Sequence, residues 1–375
     1  MRMKTTIILL GILVLLAVAV FAVLRHPAFG PYSFVHRTSS CCTVSPNWRD
    51  GMFQNQQPTP QFTGNHNTLK AMWSMMRQQD NRRVPVSPLP AVQTDLRSLP
   101  ADRDWFVWFG HSSYLFQLGG KRFLVDPILK LEFPASFMLK PFAGTDIYTP
   151  DDMPEIDYLI VTHEHWDHMD YATLRDLRPK VKHAVCPLGI AEYLEYWKYD
   201  KSVITEMDWY ENLTGTESSG LTAKRSYSVS GLTAAGGLSV TCLPTRHFSN
   251  RFLGKRNQTL WAAFMVEMGD RKVYIGGDGG YDDRFRQARE QFGHIDLAVM
   301  ENGQYNPNWA YVHMLPQDLE QAILDMQPEQ VFTVHHDKFS LSTHAWSEPD
   351  SVAQSIAERH ELKLLDQPIG TVIYF

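Results

Sequence analysis

The rhythm of hydrophobic and polar positions changes along the chain and divides it into three parts. Thr5–Leu24, TTIILLGILVLLAVAVFAVL, is an unbroken uncharged run. Twenty helical residues rise about 30 Å, the thickness of a bilayer's hydrocarbon layer, so residues 1–25 are expected to form a membrane anchor, an N-terminal transmembrane helix. A cleavable signal peptide is the rival reading, although the small residues of AVAVFA lie inside the apolar run rather than after it. Residues 26–100 read as a linker and N-terminal extension. Up to about residue 65 they are rich in Pro, Ser, Gln and Asn with no period. Leu69, Met72, Trp73 and Met76 then fall at helical spacing, followed by the Pro-punctuated connector through Pro85, Pro88, Pro90 and Pro100.

Residues 101–375 carry strand after strand. DWFVWFG, SYLFQLG and KRFLVDP are short apolar or alternating runs, with Gly119-Gly120 as a hairpin turn between the last two. IDYLIVT is continuously apolar and predicts a strand buried on both faces. LSVTCLP, WAAFMVEM, RKVYIGG, IDLAVM, QVFTVH and GTVIYF predict further strands. YATLRDLR, GIAEYLEYWK, DRFRQAREQF, PQDLEQAILDM and PDSVAQSIAERH predict helices. Hairpins followed by alternating helix and strand imply the α/β class: an αββα sandwich or another layered arrangement.

Charge and cysteine content narrow the function. A net charge of −6 lacks the basic footprint of a nucleic-acid partner, so none is expected. Cys41, Cys42, Cys186 and Cys242 form no C-x-x-C, which removes zinc-knuckle and thiol-redox readings. Cys186 and Cys242 stand in apolar, strand-like surroundings and read as buried thiols. Arg2 and Lys4 against Arg25 orient the anchor with its N-terminus in the cytoplasm, leaving the catalytic domain periplasmic or otherwise extracytoplasmic.

The chemistry concentrates in VTHEHWDHMD, residues 161–170. Past the end of a strand, alternate side chains point the same way, so His163 and His165 can reach one metal ion together. Asp167 and His168 then point to a neighbouring position. Imidazole and carboxylate donors suit Zn²⁺ and similar first-row ions. H-x-H-x-D-H after an apolar strand resembles the metallo-β-lactamase-fold hydrolases, which implies an αββα sandwich of metallo-β-lactamase type. The resemblance implies one ion held by the His-x-His pair and a later His, a second held by the Asp-His pair and another late His, and an Asp bridging both. The matching positions are His247 in CLPTRHFSN, His313 in WAYVHMLPQDLE and Asp278 in VYIGGDGGY.

WFGHSSYLFQLGGKRFLVDPIL, GGDGGY, HIDLAVMENGQYNP and FSLSTHAWSEP further resemble the branch containing N-acyl-phosphatidylethanolamine-hydrolysing phospholipase D and L-ascorbate-6-phosphate lactonase. The chain departs from that branch at two places. Gly277-Asp278-Gly279-Gly280 replaces the common Gly-Asp-Thr-Gly. His335-His336-Asp337-Lys338-Phe339 replaces the frequent His-Trp-Gly-Thr-Phe.

The resemblance implies a zinc-dependent hydrolase with two Zn²⁺, Mn²⁺ or Fe²⁺ being possible substitutes. A hydroxide between the ions would be the nucleophile, since metal binding lowers the pKa of bound water to about 7. The expected substrate is a phospholipid or other small phosphodiester at a membrane. A lactone or other ester is the alternative, and a non-catalytic metal-binding protein a further one. The candidate catalytic residues are Asp167, Asp278, His335 and His344. His111 joins the last two as a possible proton donor, and each of the three histidines is equally a hydrogen-bonded structural residue. Asp126 reads either as a carboxylate orienting a ligand histidine or as an Asp-Pro turn.

Overall fold

The computed structural model describes residues 2–31, 40–63, 81–216, 220–224, 237–251 and 256–375. The helix expected around Leu69–Met76 lies outside the described residues. Among the described residues the helices longer than four residues are α1 (Arg2–Leu24), α2 (Tyr171–Leu177), α3 (Ala191–Tyr196), α4 (Arg284–Phe292), α5 (Pro316–Met326) and α6 (Glu348–His360). The strands of the main body are β1 (Trp105–Trp108), β2 (Tyr114–Leu118), β3 (Lys121–Val125), β4 (Ile156–Ile160), β5 (Val181–Pro187) and β6 (Ile204–Met207). They continue with β7 (Asn212–Thr216), β8 (Gly220–Lys224), β9 (Leu238–Leu243), β10 (Ala263–Met268), β11 (Arg271–Ile275) and β12 (Leu297–Glu301). The last three are β13 (Gln330–Val334), β14 (Lys363–Leu364) and β15 (Val372–Tyr374).

Two sheets result. One has seven strands in the order β15-β1-β2-β3-β4-β5-β6, the other eight in the order β8-β7-β9-β10-β11-β12-β13-β14. Each begins antiparallel and becomes parallel, the first from the β3/β4 pair onward and the second from β11/β12 onward. Where pairing is antiparallel a tight turn suffices, and Gly119 and Gly120, both at positive φ, make the β2–β3 turn as expected. Where it is parallel, a helix must carry the chain back.

Three buried apolar clusters fill the spaces between layers. Phe106, Trp108, Phe116 and Phe123 meet Phe264, Val266, Leu297 and Phe332 between the sheets. Leu115, Leu159 and Ala184 meet Leu174, Leu177 and Leu194 of α2 and α3. Tyr274, Ala298 and Met300 meet Phe285, Leu319, Ile323 and Ile356 of α4, α5 and α6. Helix, sheet, sheet, helix is the expected αββα sandwich. Cys186 and Cys242 are buried in it.

The N-terminal expectation needs correction. Among the described residues no helix is long and apolar enough to cross a membrane. The part expected as linker also has structure of its own. Trp48–Arg49 pairs with Met52–Phe53, and Phe53 is buried in the inter-sheet core.

Candidate metal centre

Asp126 and His335 follow directly on β3 and β13, Thr162, His163 and Asp278 come two to three residues after β4 and β11, and Glu301 ends β12. All six stand at the carboxyl ends of strands paired in parallel, where the layered α/β fold gathers its functional side chains. Two of them, and the neighbouring His111, hold left-handed backbone: φ is +41° at Asp126, +75° at His335 and +53° at His111. Such conformations cost on the order of 1–3 kcal/mol each and are held here by surrounding hydrogen bonds. His335 N–H donates to the His111 carbonyl at 3.0 Å and His111 N–H to the His336 carbonyl at 2.8 Å.

Three imidazoles converge first. His165 Nδ1 lies 3.0 Å from His163 Nε2 and 3.1 Å from His247 Nε2. The far side of each partner ring is engaged. His247 Nδ1–H donates to the Val312 carbonyl at 2.9 Å, and His163 Nδ1 lies 3.0 Å from the Thr162 hydroxyl. Two lone pairs therefore face one ring nitrogen, more than a single proton satisfies. His163 and His247 are held well below the ordinary histidine pKa, first by burial and then by neighbouring histidines, and burial takes His165 down to about 4. Neutral rings with converging lone pairs are what a first-row ion requires. Asp278 Oδ2 stands 3.8 Å from both His163 Nε2 and His247 Nε2 and completes the group.

A second group shares Asp278. Its Oδ2 is 3.2 Å from His168 Nε2 and 3.2 Å from His335 Nε2, and Asp167 Oδ2 is 3.4 Å from His335 Nε2. His168 Nε2, His335 Nε2 and Asp278 Oδ1 are buried without a hydrogen-bond partner. Burial would raise the Asp278 and Asp167 carboxyls, but the surrounding histidines outweigh it and hold both well below the usual range. Two donor groups joined by one carboxylate fit a pair of divalent ions.

The supporting contacts are specific. Asp126 accepts from Thr162 N–H at 2.8 Å and the Thr162 hydroxyl at 2.6 Å, and from His168 Nδ1–H at 2.8 Å. Its orienting role is thus the one the geometry realises, leaving His168 Nε2 aimed at the centre. His111 Nε2 contacts Asp167 Oδ2 at 2.8 Å. Asn55, in the stretch expected as linker, grips the backbone of His247 on both sides: Nδ2 donates to its carbonyl at 2.7 Å and Oδ1 accepts its N–H at 3.2 Å.

All seven expected ligands meet here: His163, His165, Asp167, His168, His247 and Asp278, and His313 in a further donor group with Asp278, Glu301 and His335. His313 stands at the rim of that gathering. Its Nδ1 pairs with Glu301, a buried carboxylate that also accepts Gly279 N–H at 2.8 Å through its other oxygen. His335, expected as a proton donor, instead holds the place facing Asp167 and Asp278. His344 is spent elsewhere: its Nε2 accepts Gln304 N–H at 2.8 Å and its Nδ1–H donates to the Ala345 carbonyl at 2.8 Å, so it has no proton to give the centre. Glu301 escaped the sequence reading, although a carboxylate ending the buried strand IDLAVME is the same signal that marked Asp126.

Comparison with known proteins agrees with the fold. A family model described as a beta-lactamase superfamily domain matches residues 121–336, more than half of the chain. An uncharacterized protein of Mycobacterium tuberculosis is 31% identical over 314 residues, 81% of this chain and 78% of that one. N-acyl-phosphatidylethanolamine-hydrolyzing phospholipase D 1 of Caenorhabditis elegans is 25% identical over 335 residues, 83% and 88% of the two chains. Among solved structures, an isothiocyanate hydrolase from Delia radicum gut bacteria matches with TM-score 0.51 at 16% identity, over 72% of this chain and 99% of that one. A diiron beta-hydroxylase from Streptomyces venezuelae matches with TM-score 0.51 at 17% identity, over 74% and 55%. At these identities the structural likeness concerns the fold alone.

Proposed function

This chain belongs to the beta-lactamase superfamily as a metallo-β-lactamase-fold hydrolase, and from that premise we propose a dinuclear metal-dependent phosphodiesterase acting on phospholipids of the N-acyl-phosphatidylethanolamine type. The observation that carries the reading is Asp278, whose one carboxylate faces His163 and His247 on one side and His168 and His335 on the other. The nematode phospholipase D, similar over most of both chains, supports the substrate class.

The nitrogen and oxygen donors suit Zn²⁺, Mn²⁺ or Fe²⁺. His163, His165 and His247 would hold one ion, Asp167, His168 and His335 the other, and Asp278 both. Bound there, the ions supply an activated water and neutralise charge on the phosphoryl oxygens. The chain's own residues do the rest. Asp126 fixes the His168 ring, His111 fixes the Asp167 carboxylate, and Asn55 fixes the His247 backbone. His313, 14% exposed and held by Glu301, stands at the rim as the histidine able to protonate the departing alkoxide.

Helix α1 supports an anchoring role. Its exposed residues, among them Leu9, Leu10, Ile12, Leu13, Val14, Leu15 and Leu16, run round the whole circumference, an apolar surface that suits contact with lipid. Just beyond it, Phe29 meets the Trp166 ring at 5.3 Å and Trp197 Nε1–H donates to the Pro27 carbonyl at 2.9 Å, beside the 163–168 loop. The proposal is lipid contact through α1, with the catalytic domain on the extracytoplasmic side.

The test is turnover by the purified, metal-loaded protein. Release of phosphatidic acid and N-acylethanolamine from N-acyl-phosphatidylethanolamine is expected. Cleavage of a lactone panel with no phosphodiester turnover would replace this reading with that of an ester hydrolase.

A further inference from the structure

Beside the centre, the segment that departs from the branch motif builds a separate cluster. His336 is 3% exposed and packs on the Trp108 ring at 5.0 Å. Its Nε2 faces the Thr333 carbonyl and hydroxyl, each at 3.2 Å. With its proton donated there, Nδ1 presents a lone pair in the opposite direction. That lone pair meets Asp350 Oδ1 at 3.4 Å and Asp337 Oδ1 at 3.6 Å. Neither contact has hydrogen-bond geometry, and both His336 Nδ1 and Asp337 Oδ1 are buried without a partner.

The separations are informative. A hydrogen bond from an imidazole to a carboxylate closes to about 2.7–3.2 Å. Donors around a tetrahedral ion with bonds of about 2.1 Å stand about 3.4 Å apart. Each carboxylate oxygen stands from the ring nitrogen at close to the second spacing. The Thr333 carbonyl is the usual outer partner of a ligating imidazole, fixing its tautomer and its direction. One positive charge has to occupy the point where an imidazole lone pair and two carboxylates meet.

We infer that His336, Asp337 and Asp350 form a third divalent-cation site, of the zinc type, distinct from the two donor groups joined by Asp278. Asp350 comes from the first turn of α6 and the other two from the loop after β13, so an ion there ties helix to loop. The loop needs the tie. His335 and Asp337, on either side of His336, hold φ of +75° and +57°. The same backbone aims His335 Nε2 at Asp278. Water reaches the site from the Asp350 side, where the carboxylate is 30% exposed, and that opening gives the ion a path.

Metal analysis of the purified full chain after equilibration with Zn²⁺ tests the inference. Three ions per chain are expected in the unaltered protein, and two in both His336→Gln and Asp350→Asn. His165→Ala, which breaks the Asp278-joined centre, should keep the ion lost in the other two. Asp350→Asn, at a part-exposed position, covers the case in which His336→Gln does not fold. Equal zinc content in the unaltered protein and Asp350→Asn would overturn the inference and leave a proton on His336 as the occupant. A protein with one ion, lost in Asp350→Asn but not in His165→Ala, would uphold this site and refute the dinuclear centre. Anomalous scattering at the zinc edge gives the same answer in a crystal.

Discussion

His313 and His335 stack 5.3 Å apart between ring centroids, nearly parallel at 14°, yet their partners give them different work. His335 Nε2 is buried and unpartnered between two carboxylates, whereas His313 Nδ1 is engaged by Glu301. Replacing His335 by Gln is expected to remove one ion per chain and abolish turnover. Replacing His313 by Gln is expected to leave metal content unchanged and lower kcat by roughly 10²–10⁴, the usual worth of a positioned proton donor. Metal analysis beside steady-state kinetics checks both, and loss of metal from the His313 variant would return that residue to the ligand set. Asp126→Asn keeps the shape but weakens the hold on His168, and a roughly 10–100-fold loss of metal affinity is expected, read by competition with a chelator. The residues of the 161–170 stretch were legible because they are adjacent in sequence and need one strand end to be brought together. Assigning His313 and His335 needed more. Both are histidines beside a strand or helix terminus, and what separates them is the placement of Glu301, a contact over 12 positions for one and a packing outcome for the other.

At the level of elements, strands with strong apolar runs were readable and weakly patterned ones were not. β4 and β9 through β13 follow buried runs, while β6 (ITEM), β7 (NLTGT) and β8 (GLTAK) offer neither a clean alternation nor an apolar block. The stretch expected as linker hid its role for the same reason, since a lone polar Asn55 carries no periodic signal. Asn55→Ala removes two hydrogen bonds to the His247 backbone and is expected to cost roughly 1–3 kcal/mol in denaturant unfolding. The loop after β13 makes a pH prediction. Lys338 is buried, with Nζ donating to the Ile128 carbonyl at 2.8 Å and the Phe109 carbonyl at 3.2 Å, and burial takes its pKa down to about 8. An unfolded lysine titrates near 10.4, so between those values the unfolded chain binds a proton the folded chain lacks. The destabilisation is complete below about pH 8 and is relieved as pH rises toward about 10.4. Relative to Lys338→Met, the unaltered protein should therefore gain stability across that window in chemical unfolding, and a flat difference would show that Lys338 stays charged in the fold.

For the molecule as a whole, the donor set spans the sandwich. His163, His165, Asp167 and His168 follow β4 of the seven-stranded sheet, while His247, Asp278 and His335 follow β9, β11 and β13 of the eight-stranded one. Each proposed ion therefore takes ligands from both sheets and cross-links the two halves. The apolar core between the sheets holds them without metal, so the fold should survive chelation, but with less stability. A ligand bound by the folded state alone stabilises it by about 4 kcal/mol at a thousand times its dissociation constant, and in a chain of this size that corresponds to roughly 5–10 °C in melting temperature. Chelator-treated protein is expected to melt lower by that order while keeping its far-ultraviolet circular dichroism, and added Zn²⁺ should restore the difference. Asp278→Asn, which loses the carboxylate common to both groups, should melt near the chelated protein and respond little to chelator. If chelation left the melting temperature of the unaltered protein where it was, the ions could not be joining the sheets, and the arrangement of Asp278 between two histidine groups would need another explanation.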